Sequence, residues 1–145
     1  MLKKLLWILL AVTAGLAFWR FGYPASLRYF FKVGGTVKLG GGAAQLKLPA
    51  NSMLFVIAKN ESGIPIAVKK IINPYFPVNF EISPSNLIMP DLLTRRVYLE
   101  AFMNTHGHLG AFRKGDLKGE YKDPVAVFRK DIVIQLEQAS AHGQI

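Results

Sequence analysis

Apolar positions along this chain fall into two regimes. From Leu5 to Trp19 they run without a charged residue, with Lys3 and Lys4 ahead of them and Arg20 behind. From Gly34 onward they come in short bursts, many alternating with polar residues and separated by Gly, Pro, Asn and Ser. The first regime predicts a helix; the second predicts strands joined by turns.

A helix rises about 1.5 Å per residue, so Leu5–Trp19 alone reaches roughly 22 Å against a hydrocarbon core of roughly 30 Å. Two readings stand. As a signal peptide, Lys3 and Lys4 form the charged start, and Val12-Thr13-Ala14 or Gly15-Leu16-Ala17 offers small residues for cleavage. As a retained anchor, residues 1–23 form the helix; Lys3, Lys4 and Arg20 reach the two interfaces, and Trp19 and Tyr23 sit at headgroup depth. The aromatic run Phe18-Trp19-Arg20-Phe21-Gly22-Tyr23, followed by Leu27 to Phe31, favours the anchor. A mature N-terminus so rich in rings would sit poorly in water. Basic residues flank the helix on both sides, so the charge count does not orient it. Short N-terminal anchors commonly leave the bulk of the chain outside the cytoplasm, which places this one in the inner membrane with its domain in the periplasm. Residues 24–33 read as a juxtamembrane connector.

The second regime divides into about eight short strands, the texture of a sandwich. They are expected at Thr36–Leu39, Gln45–Leu48, Met53–Ala58, Ile64–Ile71, Val78–Ile82, Arg96–Asn104, Val125–Phe128 and Ile132–Leu136. Met53–Ala58 is apolar throughout, as in a central strand covered on both faces. Ser83-Pro84-Ser85-Asn86 is expected to cap a helical turn over Leu87–Met89 that Pro90 ends. The glycines at 107, 110, 115 and 119 mark a loop-rich stretch, and residues 138–145 read as a flexible tail. The predicted architecture is all-β: an immunoglobulin-like β-sandwich over residues 34–137, preceded by one transmembrane or signal-anchor helix. A small barrel is the alternative.

Composition sharpens this in two places. The chain has 145 residues and no cysteine, which excludes disulfides, thiolate nucleophiles and Cys-ligated metals. Of its 18 Lys and Arg, only Lys3, Lys4 and Arg20 lie in the first twenty residues, leaving 15 basic against 9 acidic, net +6, for the rest. The pairs Lys69-Lys70 and Arg95-Arg96 are candidates for a surface that meets a partner or anionic lipid, set against a merely solubilising role. Nucleic acid is not an expected partner for a domain outside the cytoplasm.

Candidate chemistry is sparse. His106 and His108, with Met103 nearby, are the residue types that suit copper, and i and i+2 share a face on a strand. Gly107 and Gly110 point instead to a solvated hairpin tip. No phosphate-cradling loop, nucleophile elbow or zinc-protease helix motif is present. Most carboxylates stand beside a base, Asp116 by Lys114 and Lys118 and Asp131 by Lys130, as solvated charge pairs do. The chain therefore reads as a non-enzyme without a cofactor.

The motif order then carries a resemblance. Leu54 to Lys59 leads to Ile64-Pro65-Ile66-Ala67-Val68-Lys69-Lys70, Phe76-Pro77-Val78 and Met89-Pro90. Val97 to Ala101 and Arg113-Lys114-Gly115-Asp116-Leu117-Lys118-Gly119 follow. This resembles the C-terminal periplasmic domain of the cytochrome c-type biogenesis protein of the haem-attachment system. Lys114 stands where the family turn has proline, and the chain shows no internal repeat where members usually carry tetratricopeptide repeats. The resemblance implies a periplasmic β-sandwich that binds protein, with an apocytochrome or respiratory-complex subunits as partner. An accessory subunit of a membrane oxidoreductase and a copper-binding domain are the alternatives.

Overall fold

In the computed structural model, which describes residues 1–44, 47–109 and 113–138, the N-terminal helix does not stop at Tyr23. It begins as α1 (Leu2–Ala17), loosens into one π-helical turn over Phe18–Gly22, and continues as α2 (Tyr23–Phe30). Pro24 sits in the first turn of α2, just past the π-helical turn, where it cannot donate a backbone hydrogen bond to the turn before it. The expected connector is thus mostly helix, and Leu2 to Phe30 makes 29 residues, long and apolar enough to cross a membrane. None of α1 is buried against the protein.

Eight strands follow among the described residues: β1 (Val33–Leu39), β2 (Met53–Lys59), β3 (Pro65–Ile72), β4 (Val78–Ile82), β5 (Arg96–Asn104), β6 (Leu117–Glu120), β7 (Val125–Ala126) and β8 (Ile132–Gln138). They form one sheet in the order β3-β2-β5-β6-β8-β1-β4, with β7 beside β5. Its two ends, β3 and β4, approach each other, so the sheet coils into a nearly closed barrel. The expected helix precedes the strands, so the chain as a whole is not all-β, and the strands join in this single coiled sheet rather than in two separate layers.

Close approach of backbones permits the coiling. A Cβ on Gly35 would lie 1.9 Å from the Ile132 carbonyl oxygen, and one on Gly119 would lie 2.3 Å from that of Gln135. Both contacts flank β8, which pairs parallel with β1 and, over two residues, antiparallel with β6. Any other residue at these two positions would push the strands apart.

Alternation sets the core. Val97, Leu99, Ala101 and Met103 of β5 and Ile132, Ile134 and Leu136 of β8 point inward and are buried. In β2, Leu54 through Ala58 are all buried, as expected for a strand covered on both faces. Phe31, just past α2, is completely buried in the same cluster. Full burial of such a side chain stabilises by about 1.5–3 kcal/mol, so this ring pins the helix to the barrel.

Several boundaries differ from expectation. β1 starts at Val33 and takes in Gly34 and Gly35. The strand expected at Gln45–Leu48 is not formed at Lys47 and Leu48, and Gln45 and Leu46 lie outside the described residues. β6 occupies part of the expected loop. The helical turn falls on Pro84–Asn86, where Asn86 Oδ1 accepts the Ser83 N–H, and Pro90 opens a second such turn rather than ending one. Gln138 ends β8, and the remainder of the expected tail lies outside the described residues.

Candidate functional site: the helix-proximal end

Strand pairing gives the barrel two distinct ends. Val33, the start of β1, pairs with Ile82, and Gly35 with Ile132, so these residues lie at the end that receives the helix. Lys59 pairs with Tyr98 at this same end, whereas Met53 pairs with Asn104 at the other. Antiparallel β5 and β6 follow suit, with Met103 opposite Leu117 at the far end. The near end therefore gathers the turns around residues 60–64, 83–95 and 121–131, and the far end gathers 73–77, 105–109 and 113–116.

The near end is tied to α2 by several contacts. Leu27 packs on the core, Arg28 pairs with Asp91 at 2.6 Å, Lys32 pairs with Glu81 at 3.4 Å, and the Lys32 N–H donates to the Val127 carbonyl at 2.9 Å. Between α2 and the turns lies an open groove of about 690 Å³ whose walls include Tyr23, Ser26, Phe30, Arg95, Arg96 and Phe128. The Arg95 guanidinium stands 5.9 Å from the centre of the Tyr23 ring, which itself stacks on Trp19 at 5.5 Å. Among the described residues neither Arg95 nor Arg96 forms an ion pair. Phe30, Leu92, Met89 and Phe128 around this end are exposed.

The other candidate residues are dispersed. Lys3 and Lys4 occupy the opposite end of the helix from Trp19, Arg20 and Tyr23. Lys69 and Lys70 do not join Arg95 and Arg96 in one surface. Lys70 aligns through Phe55 with Phe102, six positions along β5 from Arg96, about 20 Å at strand rise. They also diverge from each other, because neighbours on a strand face opposite ways. Lys70 places its ammonium 5.8 Å over the Phe55 ring on the outer face, and Lys69 lies half-buried on the side of Val56.

The histidine hairpin lies at the far end. His106 Nε2 is 2.9 Å from Asp116 Oδ2, and His106 Nδ1 accepts the backbone N–H of His108 at 3.2 Å. The donor on Nδ1 places the ring proton on Nε2, facing the carboxylate. Both nitrogens of His106 are thus engaged within the protein. Met103 is buried in the core, and the His108 ring stacks on that of His106 at 5.8 Å. Among the described residues no group of three His, Cys, Asp or Glu side chains is placed to hold a metal ion.

Asp116 was expected to be a solvated partner of neighbouring lysines; instead it is buried, and its Oδ2 also accepts the Arg113 N–H at 2.8 Å. Gly115 makes that turn with φ of 97°, a conformation only glycine adopts readily. The Lys114-Gly115-Asp116-Leu117 motif is therefore a structural turn leading into β6. Asp131 pairs with Arg129 at 2.7 Å rather than with Lys130.

The chain is 34% identical over 76 residues to an uncharacterized protein of Aquifex aeolicus (strain VF5), a match covering 50% of each chain. It thus spans about half the length of that curated relative. An alternative pilotin from the type II secretion system of Vibrio cholerae has a similar fold, with a TM-score of 0.51 at 15% identity over 76% of this chain and 97% of the pilotin. The model of the Ig-like domain of cytochrome c-type biogenesis protein H matches residues 35–137, β1 through β8, and the chain belongs to that family.

Proposed function

We propose that this chain is a non-enzymatic, single-pass inner-membrane protein whose periplasmic barrel binds a protein partner during c-type cytochrome biogenesis or respiratory-complex assembly. The observation that carries the reading is the family match over the barrel, joined through buried Phe31 to an unburied apolar helix of membrane-spanning length. From Leu2 to Tyr23 the helix rises about 32 Å, close to the thickness of a hydrocarbon core. Lys3 and Lys4 then fall at one interface, and Trp19, Arg20 and Tyr23 at the other, where rings and snorkelling cations are favoured.

The test is recovery of the full chain from detergent-solubilised membranes with its bound proteins identified by mass spectrometry. Apocytochromes or cytochrome-assembly components are the expected companions, and the chain itself should resist a carbonate wash. Recovery in fixed stoichiometry with a mature oxidoreductase would make it an accessory subunit. Recovery with only ribosomal or nucleic-acid machinery would overturn the proposal.

A further inference from the structure

We propose that the groove between α2 and the near-end turns binds the phosphate of an anionic phospholipid headgroup, using Arg95 and Arg96. The inference rests on the membrane tether proposed above and adds a ligand to the barrel itself. Its starting point is position. Tyr23 lies where the helix leaves the hydrocarbon core, and the groove opens beside it, so its mouth stands at the level of the lipid phosphates.

Charge supplies the second argument. Arg28, Lys32 and Arg129 at this end are each paired with a carboxylate, whereas Arg95 and Arg96 have none within ion-pair distance among the described residues. Glu61 also lines the groove but pairs with neither arginine; its backbone N–H donates to Thr94 Oγ1 at 3.2 Å. Two arginines without an ion-pair partner lining one groove suit a phosphodiester, whose oxygens accept their forked N–H donors.

The wall opposite suits the rest of a lipid. Tyr23 makes no side-chain hydrogen bond among the described residues, leaving its hydroxyl free to donate. Arg95 is held over that ring by its quadrupole. Trp19, stacked on Tyr23, continues the aromatic column toward the acyl chains. Exposed Phe30 and Phe128 at the groove are apolar surface that the glycerol and upper acyl region would cover. A soluble phosphate would satisfy the arginines and leave these rings bare, which is why a lipid is the better occupant.

The full chain is reconstituted into vesicles of equal parts phosphatidylglycerol and phosphatidylcholine, extracted in mild detergent, and its retained lipids are counted by native mass spectrometry. At about 1 kcal/mol for each basic residue near a membrane surface, each arginine is worth about fivefold in preference for the anionic lipid. The unaltered chain should therefore retain phosphatidylglycerol preferentially. Arg95→Gln with Arg96→Gln should bring the two lipids to near parity, and Lys replacements should restore most of the preference. Lys69→Gln with Lys70→Gln should change nothing. Parity in the unaltered chain, or preference surviving both Gln changes, overturns the groove. Displacement by inorganic phosphate alone makes a soluble anion the ligand and overturns the lipid. Loss of a protein partner in the Gln variant with lipid preference intact assigns the arginines to an acidic protein surface instead. Release of the chain from vesicles by carbonate overturns the tether and the groove together, whereas a retained chain without preference overturns the groove alone.

Discussion

His106 Nε2 meets Asp116 Oδ2 at 2.9 Å with only 8% and 9% of the two side chains exposed, and this contact closes the far-end hairpin. Hydrogen bonds to a charged group contribute about 1.5–3 kcal/mol each, and Asp116 Oδ2 also holds the Arg113 N–H. Asp116→Ala is expected to lower stability by about 2–3 kcal/mol in denaturant unfolding of the full chain in detergent. A double-mutant cycle with His106→Ala should show coupling, since each residue leaves the other unpartnered.

The same contact bears on copper. A ligand needs a free ring nitrogen, and both nitrogens of His106 are engaged while Met103 is buried in the core. Equilibrium dialysis of the full chain against Cu(I) and Cu(II) at micromolar concentration is expected to retain no metal. Stoichiometric retention would show that the hairpin opens to bind it.

Gly35 should tolerate no side chain. A Cβ there would stand 1.9 Å from the backbone oxygen of Ile132, and neither strand can yield without breaking the β1–β8 pairing. Overpacking commonly costs 1–3 kcal/mol, and a clash with backbone lies at the upper end, so Gly35→Ala should cost about 3 kcal/mol. Gly41→Ala, with nothing within 4 Å of the added carbon, is the matched control and should change stability by less than about 0.5 kcal/mol.

Phe31 couples the N-terminal helix to the barrel. Its ring is completely buried in the barrel core, and large aromatic truncations cost about 3–5 kcal/mol. Phe31→Ala should lower the thermal unfolding temperature of the full chain while leaving intact the carbonate-resistant membrane association proposed for the helix. Loss of membrane association without loss of stability would contradict the division of roles between ring and helix.

A carboxylate titration reads the near end. The Asp131 carboxyl is held below its ordinary 3.8 by the hydrogen bond and charge of the Arg129 guanidinium at 2.7 Å. A depressed value in the folded state means that the pair's stabilisation is present above pH 3.8 and is lost as pH falls through the lower folded value. Both side chains are solvent-exposed, so the effect on stability is small. An NMR titration should place Asp131 below 3.8, and Arg129→Gln should move it back upward.

Local pattern made much of this legible. The charge-free run from Leu5 to Trp19 declared the helix, and the alternation in Val78–Ile82 and Arg96–Asn104 placed β4 and β5 to the residue. The expected eight strands match in number partly through offsetting differences. No strand forms at Lys47 and Leu48, and one was hidden at Leu117–Glu120. Gly115 and Gly119 there signal a loop locally; Gly119 is glycine because another strand's backbone passes against it. That requirement is non-local and leaves no signature in its neighbours.

The candidate sites divide along the same line. Lys3, Lys4, Trp19, Arg20 and Tyr23 could be placed on one helix from the sequence because the apolar run and helix rise alone space them, and their interfacial role is part of the proposal. His106 and Asp116 were not readable as partners, since adjacent lysines offered Asp116 a nearer explanation and only the fold of the hairpin brings the imidazole to it. Hydrophobic periodicity and turn residues act within a few positions, so they dictated the helix, most strands and the family pattern from the chain alone. Sheet order, the near closure between β3 and β4, the groove beside Tyr23 and the separation of Lys69-Lys70 from Arg95-Arg96 arise from contacts between distant segments. Those depended on backbone packing in three dimensions, where a glycine's missing Cβ or an unpaired guanidinium acquires its meaning from residues far away in sequence.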